Sequence, residues 1–308
     1  EEFADLVRLN PNISNVITFP KHGGFGDVRK LMRTIRENDY DLIIDIHDSL
    51  RSRFLHLGAA RVVRINKRKL ARFLLVKFKW NVYGRFGGSP GVALRYLEPL
   101  RPFGIEDDGK GLELFIAEND RQRTEQLIRE AGFGQEQFIG VCPSAKHHNK
   151  MWLKERFAET ASVLSIGRQS PVVLFGSGDE AERCNAIANL IREQNPQAGI
   201  LNLAGRISLN ETAAMMDRCS IVITNDSGLM HIAAARKRKV VAIFGPTVKE
   251  LGFFPFGTQN EVIENTELEC RPCTHIGLAD CPKGHFKCMN DISAAQVIAS
   301  ANRLLQTQ

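Results

Sequence analysis

The chain has 308 residues, of which 43% are apolar and 25% charged, with a formal net charge of +6. That length exceeds what one hydrophobic core usually holds, so two domains of ordinary size are expected. The composition excludes a disordered chain, and the lack of any unbroken apolar run of about 18 residues excludes a transmembrane helix.

In chain order, the first half reads as a helix over 1–9, a strand near 16–19, a helix near 27–37 and a strand over 41–46, followed by a further helix and strand. From Gln137 onward, short apolar runs alternate with amphipathic segments: FIGVC, a helix over 154–166, VVLF, a helix over 179–192, ILNLA, a helix over 209–218, IVIT, a helix over 228–236, and VVAIFG. A closing helix is expected over 292–305. This alternation predicts a parallel sheet with helices on both faces, the doubly wound α/β class. Polar stretches follow the strands: PSAKHHNK, GSGDE, AGR, NDSG and GPT. Ligands bind at the carboxyl ends of strands in such sheets, so these stretches share one rim. A boundary is expected between about 105 and 137, where EDDGKG and AGFGQ interrupt the periodicity. The expected division is 1–120 and 121–308.

Charge is distributed unevenly. Residues 1–104 hold 19 Lys and Arg against 10 Asp and Glu, and the remainder holds 22 against 25. Between Asp48 and Glu98 there is no acid, while eleven basic residues run from Arg51 to Arg85, interleaved with Leu70, Phe73, Leu74, Phe78 and Trp80. Such a tract fits an anionic membrane surface or anionic lipid. No nucleic-acid module accompanies it, so nucleic acid is not an expected partner.

The stretch ITNDSGLMHIAAA joins an apolar strand to a helix. Any one of Asp226, Ser227 and Gly228 is explained by helix capping alone, and His231 by core burial. Their combination at one junction fits an anion, because free N–H groups and the positive end of the helix dipole point into the crevice. In SAKHHNKMW, Ser144 and Lys150 are placed to hold phosphate oxygens, although a solvated basic loop also explains the charges. In FGSGDEAE, Glu180 is placed to accept hydrogen bonds from a ribose, but this glycine pair is not the dinucleotide fingerprint. GGFGDV lacks the Lys-Ser/Thr of a phosphate loop and reads as a turn with Asp27 capping a helix. DYD at 39–41 lies at the wrong end of its strand for a metal site on the ligand rim.

Without a recognisable secretory signal, seven cysteines point to a reducing compartment. Cys142, Cys184 and Cys219 read as small buried hydrophobes. Cys270, Cys273, Cys281 and Cys288 are four soft ligands within nineteen residues. A structural zinc, disulfides and free thiols all remain open for them.

The segments TNDSGLMHIAAARKRKVVAIFGPT, PSAKHHNKMWLKERFAETASVL, YDLIIDIHDSLRSR and CRPCTHIGLADCPKGHFKCMNDIS together resemble glycosyltransferase family 9, the ADP-heptose:lipopolysaccharide heptosyltransferases. The resemblance implies a GT-B fold, with two Rossmann-like doubly wound parallel-sheet domains facing a cleft. It also implies an inverting glycosyltransferase that requires no catalytic metal or other cofactor. By it, 121–308 holds ADP-heptose or a related nucleotide sugar through Ser144, Lys150, Glu180, Asp226, Ser227, Gly228 and His231, with Lys150 and Asp226 taking part in catalysis. Domain 1–120 takes the anionic inner core of lipopolysaccharide, with Arg51 and then Arg53 as acceptor contacts, at the cytoplasmic face of the inner membrane. His47 and Asp48 stand where the family's acceptor segment carries Gln-Gly. In the family the general base is an aspartate after the first strand. The chain opens EEFADLVRLN without an initiator methionine and is expected to begin beyond that strand and helix; Asp27 falls too late to replace the base. Two alternatives accompany this reading: a nucleotide-sugar-binding protein without transferase activity, and a GT-B sugar-nucleotide epimerase.

Overall fold

The computed structural model describes residues 3–20, 22–58 and 61–306. The first half contributes α1 (Asp5–Arg8), α2 (Phe25–Glu37), β1 (Ile43–Asp45), α3 (Leu50–Leu55), β2 (Val62–Arg64), α4 (Lys69–Phe78) and α5 (Val92–Leu97). Strands β1 and β2 pair in parallel as a two-stranded sheet. α2 starts at Gly24, whose N–H donates to the Asp27 carboxylate at 2.8 Å, so the acid expected to cap this helix does so from its first turn. The strand expected near 16–19 does not form. A strand exists only where a neighbour completes its ladder, and the first-half sheet described here contains β1 and β2 alone. Of the helix expected over 1–9, residues 5–8 are helical, and Glu1 and Glu2 lie outside the described residues.

After α6 (Glu118–Glu130), the chain alternates strand and helix through β3 (Phe138–Cys142), α7 (Lys154–Arg168), β4 (Val172–Leu174), α8 (Ala181–Gln194), β5 (Ile200–Asn202), α9 (Leu209–Met216), β6 (Cys219–Asn225), α10 (Gly228–Ala235) and β7 (Lys239–Phe244), and then reaches β8 (Asn260–Glu264) without an intervening α-helix. Two helices close it, α11 (Lys287–Asn290) and α12 (Ala294–Gln306). The six strands are all parallel, in the order β5-β4-β3-β6-β7-β8. Side chains alternate across this sheet with the strand period of two. Ile221, Ile223, Val241 and Ile243 face a layer built by α7, α8 and α12, whereas Val222, Val240, Ala242 and Phe244 face α6, α9 and α10.

Two elements escape the sequence pattern. α6 is mostly polar and buries only Thr124, Leu127 and Ile128, and it joins the second half through Glu125, which accepts from Arg218 at 2.6 Å. β8 is an edge strand, NEVIE, in which Ile263 alone is buried.

The two halves touch through α4 and the segment around α5. Ala71 and Leu75 of α4 pack with Tyr83 against Leu251. The Val92 N–H donates to the Gly252 carbonyl at 2.8 Å. Gly252 has φ +85°, and a Cβ there would lie 2.6 Å from Arg95 Nη2 and 3.0 Å from the Pro90 carbonyl. Only glycine fits that junction without displacement.

Candidate functional site

The sheet order reverses between β3 and β6, which are adjacent in space but separated by β4 and β5 in sequence. Such a reversal opens a crevice beyond the carboxyl ends of the two strands. Pro143 and Ser144 leave β3 on one side of it, and Asp226 and Ser227 leave β6 on the other. Asn225 bridges them: its side-chain amide donates to the Pro143 carbonyl at 2.8 Å, and its oxygen accepts the Trp152 N–H at 3.0 Å.

A cleft of about 830 Å³ occupies this place. Ser144, Glu180, Ser227, Gly228 and His231 all line it, along with Lys146, Ile207, Leu209 and Ile232. Gly205, at φ +71°, pinches one wall, because a Cβ there would approach Gly178 Cα to 2.8 Å. The N–H groups of the first turn of α10 open from Ser227. The hydroxyls of Ser144 and Ser227 are buried and have no hydrogen-bond partner among the described residues. Two orphaned hydroxyls on opposite sides of one crevice are donors waiting for an acceptor.

Lys150 and Asp226 sit beside the cleft as an ion pair, Nζ to Oδ2 at 2.6 Å, with side chains only 12% and 5% exposed. The same carboxylate oxygen accepts from Thr247 Oγ1 at 2.7 Å. Thr247 is in turn fixed by Arg271, whose guanidinium donates to the Thr247 carbonyl at 2.8 Å, to the Gly245 carbonyl, and to Glu264 at 2.6 Å. Sequence reasoning placed GPT on the rim but assigned Thr247 and Arg271 no part. Burial pushes the His231 imidazole below its usual 6.5; Asp226 opposes that shift and Lys150 adds to it. Burial thus favours the neutral form of His231. Glu180 closes the turn at 177–180 by accepting the Ser177 N–H at 2.8 Å.

The cysteine-rich tail buttresses the loop that carries Lys150. Asn149 exchanges two hydrogen bonds with Leu278, at 2.8 and 3.3 Å, and His148 stacks on Phe286 with centroids 6.0 Å apart. Of the possibilities left open for Cys270, Cys273, Cys281 and Cys288, a structural zinc finds no support in the geometry. No group of three or more metal-ligating side chains assembles among the described residues, and all four cysteines are free thiols. Cys288 packs into the apolar layer under α12, where burial pushes its thiol up to about 12, and Cys270 instead faces His285 at 3.9 Å.

Arg51 and Arg53 lie on α3, away from the residues that line the cleft. Arg51 rests over the Phe19 ring at 5.0 Å, and Arg53 pairs with Asp48 at 2.7 Å. Asp48 adopts φ +40°, held by a turn in which the buried Asp45 accepts from the N–H groups of His47 and Asp48.

A model of the family described as glycosyltransferase family 9 (heptosyltransferase) matches residues 28–280. The chain belongs to that family. Among its relatives within the family, lipooligosaccharide heptosyltransferase 2 of Haemophilus influenzae is 29% identical across 97% of this chain and 87% of its own length. The lipooligosaccharide heptosyltransferase 2 of Campylobacter jejuni is 35% identical over 170 residues, 54% of this chain, and the match spans about half (51%) of that relative. The solved Escherichia coli ADP-heptose lipopolysaccharide heptosyltransferase II aligns with a TM-score of 0.69 and 26% identity, over 98% of this chain and 86% of that one. A family 9 structure from Veillonella parvula shares the fold, with a TM-score of 0.78 and 22% identity, over 100% of this chain and 87% of that one. The two-lobed α/β architecture of this family 9 protein is the GT-B fold.

Proposed function

We propose that this protein is an inverting, metal-independent glycosyltransferase that moves a heptose from ADP-heptose to the anionic inner core of lipopolysaccharide, working as a peripheral protein at the cytoplasmic face of the inner membrane. One observation carries the donor half: the orphaned Ser144 and Ser227 hydroxyls and the first turn of α10 converge on the β3–β6 crevice next to Lys150. A diphosphate there accepts from both hydroxyls and from the helix N–H groups, while Lys150 supplies a point charge.

In the displacement, an acceptor hydroxyl oxygen attacks the anomeric carbon and gives its proton to a carboxylate base, while the bond to the diphosphate breaks and its electron pair leaves on ADP. Negative charge grows on the leaving oxygens, so fixed donors aimed at them lower the barrier more than they tighten ground-state binding. Asp226 orients Lys150 and, together with His231, faces the sugar side of the crevice. Arg51 and Arg53 serve the acceptor, and the basic first lobe meets the lipid that carries it.

Calorimetry with ADP tests the donor site. Lys150→Ala is expected to weaken ADP by about 30-fold or more, the range for truncating one partner of a buried charge pair. Affinity unchanged by that substitution overturns the reading. Transfer to a lipid-linked core acceptor in the presence of EDTA, with the product anomer assigned by NMR, tests the reaction. ADP binding without transfer would favour a nucleotide-sugar-binding protein instead.

A further inference from the structure

Helix α4 is apolar on two sides. The inner side, Ala71 and Leu75, is buried against Tyr83 and Leu251. The outer side carries Leu70 and Phe73, 58% and 56% exposed, and Trp80, 62% exposed, follows the helix end. Positions 70, 73 and 77 are spaced by three and four residues and so form one stripe. Phe78 extends it: its ring lies 5.9 Å from that of Phe73 and 5.4 Å from that of Trp80. Three exposed aromatic rings thus run in a row through Phe78, although the same helix has already buried its other apolar side. Contiguous exposed apolar surface of this kind marks a binding face.

The surrounding charge says what binds. Lys69 and Lys77 are exposed on the same helix, Lys67 precedes it and Arg85 follows it, while residues 49–97 contain no acid. Lys67, Lys77 and Arg85 make no ion pair among the described residues, and Lys69, 60% exposed, reaches only Asp48, at 3.6 Å. A stripe of Trp, Phe and Leu edged by exposed lysines matches the boundary between acyl chains and anionic headgroups, where rings insert and ammonium groups reach phosphates.

We propose that the outer face of α4 seats this protein on an anionic bilayer, with Leu70, Phe73, Phe78 and Trp80 entering the headgroup boundary and Lys69 and Lys77 meeting lipid phosphates. The proposal rests on the reading that the acceptor is lipid-linked, and it names the surface that meets the membrane. Because the inner face of α4 packs on Leu251, the seated helix also holds the junction between the lobes next to the lipid.

The chain carries its own reporter. It has two tryptophans; Trp152 is fully buried, so Trp80 alone can change its surroundings on docking. The full chain is mixed with vesicles of phosphatidylethanolamine and phosphatidylglycerol and, separately, with vesicles of phosphatidylcholine. On the anionic vesicles, tryptophan emission is expected to shift to shorter wavelength and to be quenched by brominated lipid. Phe73→Ser with Trp80→Ser is expected to cut co-sedimentation about tenfold or more, and Lys69→Glu with Lys77→Glu by a similar factor. The aromatic double variant is expected to keep ADP affinity and transfer to a water-soluble core oligosaccharide. No co-sedimentation with anionic vesicles, equal binding to neutral ones, or binding unchanged in both double variants overturns the proposal. If the wild type binds vesicles through α4 but binds no ADP, the enzymatic reading falls and the seat stands. If it transfers to the soluble acceptor but ignores vesicles, the seat alone falls.

Discussion

Strands β3, β6 and β7 bury all but two of their residues under helices on both faces, whereas β1 and β2 are three residues each and leave Ile44 41% exposed. The second lobe therefore carries its own two-layered core, and its ligand crevice is fixed wherever the sheet order reverses. The first lobe has less buried apolar surface, and its shape near the junction depends on contacts with Leu251 and Gly252. Under the proposed function, the better-packed lobe would hold the donor and the basic, outward-facing lobe the acceptor. The difference teaches what each lobe offers a ligand: buried, fixed hydrogen-bond donors in one, charge and exposed rings in the other.

The comparison breaks most visibly if core truncation costs the same in both lobes. Trp152 is fully buried, donates its indole N–H to the Ile292 carbonyl at 3.0 Å and meets Phe157 edge-on at 5.0 Å. Trp152→Ala is expected to lower unfolding free energy by about 3–5 kcal/mol, and Ile44→Ala by about 0.5 kcal/mol or less, as read by urea denaturation. Similar losses would show that the first lobe is as tightly packed as the second.

A smaller effect sharpens the contrast at the site. Thr247→Val removes a donor from the buried Asp226 and is expected to cost about 1–2 kcal/mol in stability and to weaken ADP several-fold, with Thr247→Ser restoring both. A valine variant with wild-type ADP affinity would mean that Asp226 and Lys150 hold their geometry without help from the GPT turn.

Acid titration gives the smallest effect and separates the lobes by pH. Folded His231 holds its proton less tightly than in the unfolded chain, so the stability it confers is complete above pH 6.5 and is lost as pH falls below that value. Burial raises the Asp45 pKa, but hydrogen bonds from Asp48, Ser52, His56 and His47 outweigh it and set the net value below 3.8; its stabilisation is complete above 3.8 and is lost only as pH falls further. Stability measured from pH 8 downward is thus expected to decline first through the second lobe, and His231→Gln is expected to flatten the decline around pH 6. A decline of equal size in that variant would remove His231 from the account.

How much of this was legible in the sequence follows the same division. β3, β6, β7 and α10 announce themselves because buried parallel strands are continuous apolar runs and the polar junction after each is abrupt. Ser144, Ser227, Gly228 and His231 could be placed on one rim from that pattern alone. Arg271 could not, because its partners are carbonyls from the end of β7 and the turn beyond it together with Glu264 of β8, which local spacing does not reveal. β8 escaped because an edge strand with one buried residue has no apolar run, and α6 because its buried stripe is three residues among ten polar ones. The strand expected near 16–19 failed for the converse reason: β propensity without a neighbouring ladder makes no sheet.

The 2.6 Å contact between Lys150 and Asp226 carries a kinetic meaning. A lone ammonium in so sheltered a position would be costly, and the carboxylate acts as its resident counter-ion. Under the proposed function, an arriving diphosphate would exchange one anion for another around a side chain whose rotamer is already set, which would trim the ordering cost of association. On departure of spent nucleotide the exchange would run backwards, so turnover need never strand a naked charge in the crevice.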